Sequence, residues 1–249
     1  TPKPTAKQLA AVALLGGGPR TLTELEEKGI SRAVLDNLCT KGVLECTKVN
    51  KSIDLYASIP LQNEPIVLTQ EQQAAYDALL PKLEDAAPHS ALLYGVTGSG
   101  KTQVYIKLIE QTLSQGKEAI VLIPEIALTY QTVRRFYARF GDKVSVINSR
   151  QSQGERYDQF KRAKKGEVQV MIGPRSALFT PFASLGLIII DEEHEPSYKS
   201  ESTPRYHARE TAIRRAVLEH ANVVMGSATP SVEAYSKAMN GEYSLVRLT

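Results

Sequence analysis

Eight residues of this 249-residue chain have the types and spacing that phosphate chemistry requires. Gly95-Val96-Thr97-Gly98-Ser99-Gly100-Lys101-Thr102 fits the pattern G-x-x-x-x-G-K-[ST] at every fixed position. The glycines let the backbone turn tightly, so that the N–H groups of Thr97, Ser99 and their neighbours can face phosphate oxygens. A helix starting after the loop would offer its positive end to the same anion. Lys101 supplies a point charge for the β- and γ-phosphates, and the Thr102 hydroxyl can ligate Mg²⁺. "ALLY" before the loop and "QVYIKLIEQTL" after it give the strand–loop–helix setting that the motif needs. ATP with Mg²⁺ is the expected ligand.

A second constellation, "LIIIDEEH", closes an aliphatic run. Carboxylates at the carboxyl end of a buried strand lie over the same sheet edge as a phosphate loop. Asp191 is placed to organise Mg²⁺, and Glu192 beside it is the candidate base. Lys101, Asp191 and Glu192 are thus the candidate catalytic set. His194 alone would be an ordinary surface histidine.

These groups need a scaffold, and the pattern supplies one. "HSALLYG", "EAIVLIP", "KVSVIN", "VQVMIG", "LGLIIIDEEH" and "ANVVMGSATP" are short apolar runs, most of them separated by helical stretches. That alternation predicts an α/β fold with a parallel sheet covered on both faces, over residues 68–249. Residues 58–67, with two prolines, read as a linker. Residues 1–57 read as a small separate domain. Its helices run through "TAKQLAAVALL", "TLTELEEKG" and "SRAVLDNLCTKG", the last with Ser31 as N-cap, before a hairpin in "VLECTKVNKSIDLYA". Three helices and a hairpin suggest a winged helix, either a DNA-docking module or a protein-contact module.

Composition excludes some classes. Hydrophobic content of 42% and charged content of 23% are ordinary for a globular protein. No run approaches the roughly 18–20 apolar residues of a membrane helix, so no membrane partner is expected. Cys39 and Cys46 are too few for a disulfide framework, and a reducing cytoplasm is the default. The net charge is only +3, yet residues 134–165 hold ten basic against three acidic residues. That stretch is either a solvated face or a nucleic-acid track. The first residue is Thr1, so the chain reads as a piece of something longer.

A phosphate loop alone does not distinguish kinases, transporters and motors. Here a resemblance adds to the residue reading. "DEEH" with "GSATPS" resembles motifs II and III of superfamily 2 helicases, "LIPEIALT" their motif Ia and "IGPRSALF" their motif Ib. "GVTGSGKT", "PEIALT", "RSALFTPF", "DEEHEPSYK" and "RYHAR" occur in the order used by the primosomal protein N′ (PriA) family of bacterial replication-restart helicases. The resemblance covers nearly the whole chain.

It implies a RecA-like first motor lobe preceded by a winged helix, in an ATP-driven 3′-to-5′ DNA helicase of the bacterial cytoplasm. Forked and single-stranded DNA, primosome proteins and single-stranded-DNA-binding protein would be partners. Zinc-binding cysteines and a second lobe would lie beyond Thr249. By the same resemblance Gln72 reads adenine, and Ser227 and Thr229 connect the nucleotide site through His194 to DNA-contacting loops. Pro124, Thr129, Arg175 and Ser176 would touch the DNA backbone. Tyr198, Lys199, Arg205 and Tyr206 would belong to an aromatic-rich loop that senses single strands, the tyrosines by stacking unless they are packing residues. Three positions depart from the family pattern: Pro204 for Trp, Pro174 for Thr and Asn148 for His. They put individual DNA contacts in question, not the nucleotide site. The transporter signature L-S-G-G-Q is absent, a nucleotide-switched DNA-binding regulator would need a more basic recognition helix, and an RNA helicase stays open.

Overall fold

Aliphatic runs of four to six residues become strands when both faces are covered, and here they are. In the computed structural model, which describes residues 5–16, 22–44, 59–62, 64–85 and 87–248, seven strands form one sheet. They are β1 (Ser90–Gly95), β2 (Glu118–Leu122), β3 (Val144–Val146), β4 (Val170–Gly173), β5 (Leu185–Ile190), β6 (Asn222–Ser227) and β7 (Ser244–Leu248). The order across the sheet is β3-β4-β2-β5-β6-β1-β7, and every pair is parallel. Every position of β2, β4, β5 and β6 is buried, which is why their middles are runs of apolar residues instead of alternating, with polar Glu118, Asn222 and Ser227 only at strand ends.

Alternate residues feed two cores. Leu93, Val121, Ile189 and Val224 face one layer, filled from α4 (Gln70–Glu84), α5 (Lys101–Ser114) and α6 (Tyr130–Phe140). Leu92, Ile120, Leu122, Ile188, Ile190 and Met225 face the other. That layer is filled from α7 (Gln153–Lys164), α8 (Ala208–Glu219) and α9 (Val232–Met239). Local signals agree with this packing: Thr69 and Gln72 make a capping box on α4, and Ser152 and Glu155 make another on α7. The sequence reading missed β7. It is an edge strand with Arg247 exposed, so it lacks the aliphatic run that marks its neighbours.

The chain divides into two compact units, Thr1–Ile53 and Asp54–Thr249. In the first, α1 (Ala6–Leu15), α2 (Leu22–Glu27) and α3 (Arg32–Thr40) enclose Ala11, Leu25, Ile30, Leu35 and Leu38. Gln8 caps α1 together with Thr5 and also donates to Asn37 Oδ1 at 3.1 Å, tying α1 to α3. Ser31 stands at the N-cap position of α3 with extended backbone, but its side chain makes no cap hydrogen bond. The hairpin expected to complete a winged helix lies, from residue 45 onward, outside the described residues.

The segment read as a linker is fastened to the second unit. Ile59 and Ile66 pack on its core. Gln62 N–H donates to Ala138 O at 2.7 Å, and Arg139 donates to the carbonyls of Gln62 and Glu64 at 3.2 and 2.8 Å. Among the described residues no helix is long and apolar enough to cross a membrane.

Candidate active site

The phosphate loop leaves the carboxyl end of β1 and enters α5. Gly98 and Gly100 adopt φ of +85° and +84°, the left-handed region that side chains disfavour. A Cβ on Gly95 would lie 2.7 Å from Leu248 O, so the strand–loop junction is also closed to larger residues. Lys101 is buried, and its Nζ donates to Gly95 O at 2.8 Å and Val96 O at 3.3 Å, folded back onto the loop. Thr97 is exposed at the tip, and Thr102 is half-buried in the first turn of α5. Ser99 Oγ is buried with no hydrogen-bond partner. Glycines held at positive φ, a 14-residue helix starting at the loop, a lysine and an unpartnered hydroxyl together fit a polyphosphate.

Gln72 braces this loop. Its Oε1 accepts from Thr69 N–H at 3.1 Å, and its Nε2 donates to Ser99 O at 3.1 Å. A Cβ on Gly100 would collide with that amide. The amide expected to read adenine thus also holds the phosphate loop.

Asp191 follows β5, and only β6 separates β5 from β1, placing the carboxylate about 10 Å across the sheet from the loop strand. Burial holds its pKa above the ordinary carboxylate range, although a hydrogen bond from Tyr105 and the Lys101 charge pull it down. The Tyr105 hydroxyl donates to Asp191 Oδ1 at 3.0 Å. Burial and the neighbouring Asp191 charge raise the Tyr105 pKa well above its usual value, so the group stays a donor. Glu192 takes φ of +47°, a backbone state costly for a residue with a Cβ and frequent at functional sites.

From Glu192 a polar chain leads away. Its Oε2 lies 3.7 Å from His194 Nδ1, which is 2.7 Å from Ser227 Oγ. Thr229 N–H donates to Ser227 Oγ at 3.0 Å, and Thr229 Oγ1 is 3.4 Å from His194 Nε2. His194, Ser227 and Thr229, singled out from separate stretches of sequence, are therefore in mutual contact.

The residues expected at DNA divide. Pro124 is buried, and Thr129 is exposed and caps α6 through Thr132 N–H at 3.2 Å. Ser176 is half-buried. Arg175 spends one nitrogen on the carbonyls of Ser197 and Lys199, at 2.7 and 2.9 Å, and so pins the loop that follows the acidic cluster. Lys199 and Arg205 are exposed on that loop. Tyr206 packs edge-on against the half-exposed Phe179, with ring centroids 5.2 Å apart. Tyr198 departs from the stacking expectation. It is 1% exposed, and its hydroxyl donates to Leu122 O at 3.0 Å and Asp191 O at 2.6 Å, so its ring has no face for a base. Part of the basic window is spent in ion pairs, Arg139 with Glu110 and Arg162 and Lys165 with Glu167.

Sequence reasoning overlooked two groups. Tyr105 and Gly226 are one: a Cβ on Gly226 would strike the Tyr105 hydroxyl. The other is a buried network in which Glu193 accepts from Arg209 at 3.1 Å, from Ser231 N–H at 2.6 Å and from Ser231 Oγ at 3.0 Å. It ties the acidic cluster to α8 and α9. The signal was visible in the second glutamate of "DEEH" and the last arginine of "RYHAR".

Comparison with known proteins follows the same lines. The chain is 48% identical over 219 residues to the replication restart protein PriA of Bacillus subtilis (strain 168), covering 88% of this chain and 27% of that protein. It is 42% identical over 251 residues to the replication restart protein PriA of Chlamydia pneumoniae, covering 99% of this chain and 33% of that one. It thus spans about a quarter to a third of the length of these curated relatives. Among solved structures, RecG bound to a three-way DNA junction shares the fold, with a TM-score of 0.56 and 23% identity over 77% of this chain and 26% of that chain. The model of the DEAD/DEAH box helicase family matches residues 69–238. Since that match runs from the cap of α4 into α9 and takes in every residue of the nucleotide site, the chain belongs to the DEAD/DEAH box helicase family.

Proposed function

We propose that this chain is the nucleotide-binding lobe, with a winged-helix unit ahead of it, of an ATP-driven 3′-to-5′ DNA helicase that restarts replication at stalled forks. The observation that carries the reading is the contact chain from Glu192 through His194 to Ser227 and Thr229. A nucleotide site that only binds has no need of a polar relay leading from its candidate base. A motor does, because phosphate chemistry must be felt elsewhere in the molecule. Identity of 48% to a replication restart protein supports the choice of motor.

In this reading Gly98, Gly100, the amino end of α5 and Lys101 hold the phosphates, and Gln72 holds both the loop and the adenine. Mg²⁺, held when bound by the Thr102 hydroxyl and the Asp191 carboxylate, neutralises phosphate charge. Glu192 accepts the proton of the attacking water. His194 passes the state of Glu192 to Ser227 and Thr229. Thr129, Arg175, Ser176, Lys199, Arg205 and Tyr206 line the DNA path, directly or, for Arg175, by holding the loop. Residues 1–57, 58–67 and 68–249 form the winged helix, the connecting segment and the lobe. The longer protein carries structural zinc, meets forked and single-stranded DNA, primosome proteins and single-stranded-DNA-binding protein, and works in the bacterial cytoplasm.

The test is ATP turnover by the longer protein with single-stranded DNA, forked DNA or RNA. Stimulation by DNA, strongest with forks, is expected. Greater stimulation by RNA would replace this reading with that of an RNA motor.

A further inference from the structure

We propose that Tyr105 is a positioning residue for the metal-binding carboxylate: by donating its hydroxyl to Asp191 Oδ1 it sets Asp191 for Mg²⁺. This rests on the assignment of Asp191 given above. Tyr105 lies three residues after Thr102 on α5, so one helix face carries both the hydroxyl assigned to the metal and the brace of the carboxylate assigned to it. The bond spans 3.0 Å, and Tyr105 is 1% exposed. Its ring belongs to the buried core cluster that includes Leu108, Leu93 and Val224, where phenylalanine would fill the same space. A hydroxyl buried there is costly unless paired, and Asp191 is its partner.

Strand β6, lying between β5 and β1, is bare at the crossing point. A Cβ on Gly226 would collide with the Tyr105 hydroxyl, reach Cζ at 2.8 Å and come within 3.5 Å of Asp191 Oδ1. The gap in β6 and the reach of Tyr105 therefore serve one contact. With one oxygen held, the carboxylate cannot rotate freely. The phosphate loop and the strand-end acid, which come from different parts of the chain, are linked through α5 by the Tyr105–Asp191 hydrogen bond.

The experiment follows binding of a fluorescent ADP analogue to the 249-residue chain while Mg²⁺ is titrated. Tyr105→Phe keeps the ring and removes only the donor. The Mg²⁺ concentration giving half-maximal enhancement should rise about tenfold, the scale on which outer partners of metal ligands act, with Mg²⁺-free binding unchanged. In an Asp191→Asn background the same substitution should add less than about twofold, because the two residues act as one unit. Gly226→Ala, whose methyl group displaces the hydroxyl while residue 105 stays tyrosine, should reproduce the shift. An unmoved Mg²⁺ midpoint in Tyr105→Phe overturns the proposal, as does an equal cost in both backgrounds, which would make Tyr105 a packing residue. If Asp191→Asn alone leaves the midpoint unchanged, the metal assignment of Asp191 fails and the proposal falls with it.

Discussion

Glu192 is where residue-scale chemistry is most exposed to test. It follows Asp191, proposed above to organise the metal, and holds φ at +47°, so the fold keeps a carboxylate there at a backbone cost. Glu192→Gln preserves shape and loses proton acceptance. In the longer protein that variant should bind ATP normally and turn it over about 10²–10⁴-fold more slowly, read by steady-state hydrolysis beside nucleotide binding. Near-normal turnover would remove Glu192 from the mechanism. The phosphate loop and the Asp-Glu pair were legible in the sequence because the chemistry itself dictates residue type and spacing. Tyr105 and Gly226 were not, since Tyr105 meets an aspartate 86 residues away and Gly226 matters only for what crosses it. For Tyr198 the sequence left stacking and packing both open, because an aromatic in a polar loop looks exposed until the backbone turns it inward onto Leu122 and Asp191.

At the scale of elements, α8 begins with an unusual cap. His207 Nδ1 accepts from Arg209 N–H at 3.2 Å, which requires that nitrogen to be unprotonated. Burial, and then the nearby Arg209 charge, lower the His207 pKa below the ordinary 6.5. A base with a depressed folded-state pKa binds fewer protons folded than unfolded. The stability it contributes is therefore present above the ordinary histidine value and is lost as pH falls through it toward the folded value. The chain should show a Tm that declines as pH drops from about 7.5 to 5.5, and His207→Asn, which caps without titrating, should flatten part of that decline. An identical slope in the variant would count against His207 as the source. The strands β1–β6 could be read from aliphatic runs because both faces are buried. β7 could not, because an edge strand exposing Arg247 resembles a loop.

At the scale of the whole molecule, one sheet edge gathers the phosphate loop, Asp191, Glu192 and the relay to Thr229. Among the described residues no arginine hydrogen-bonds to the loop, whose lysine and Ser99 carbonyl are engaged by Gly95, Val96 and Gln72. An arginine supplied to developing phosphate charge is worth about 10³–10⁵ in rate in GTPases. This chain alone should therefore hold nucleotide yet turn it over far more slowly than the longer protein, with little stimulation by single-stranded DNA. Strong DNA-stimulated turnover by these 249 residues would mean that the chemistry is complete within them. The claim beneath all of this is that Gly95–Thr102 binds nucleotide phosphates, and calorimetric titration of Mg-ADP into the chain and its Lys101→Ala variant tests it most directly. Loss of a charged hydrogen bond of about 1.5–3 kcal/mol predicts affinity reduced by roughly 10- to 150-fold in the variant. Equal affinity in the two proteins would contradict the account.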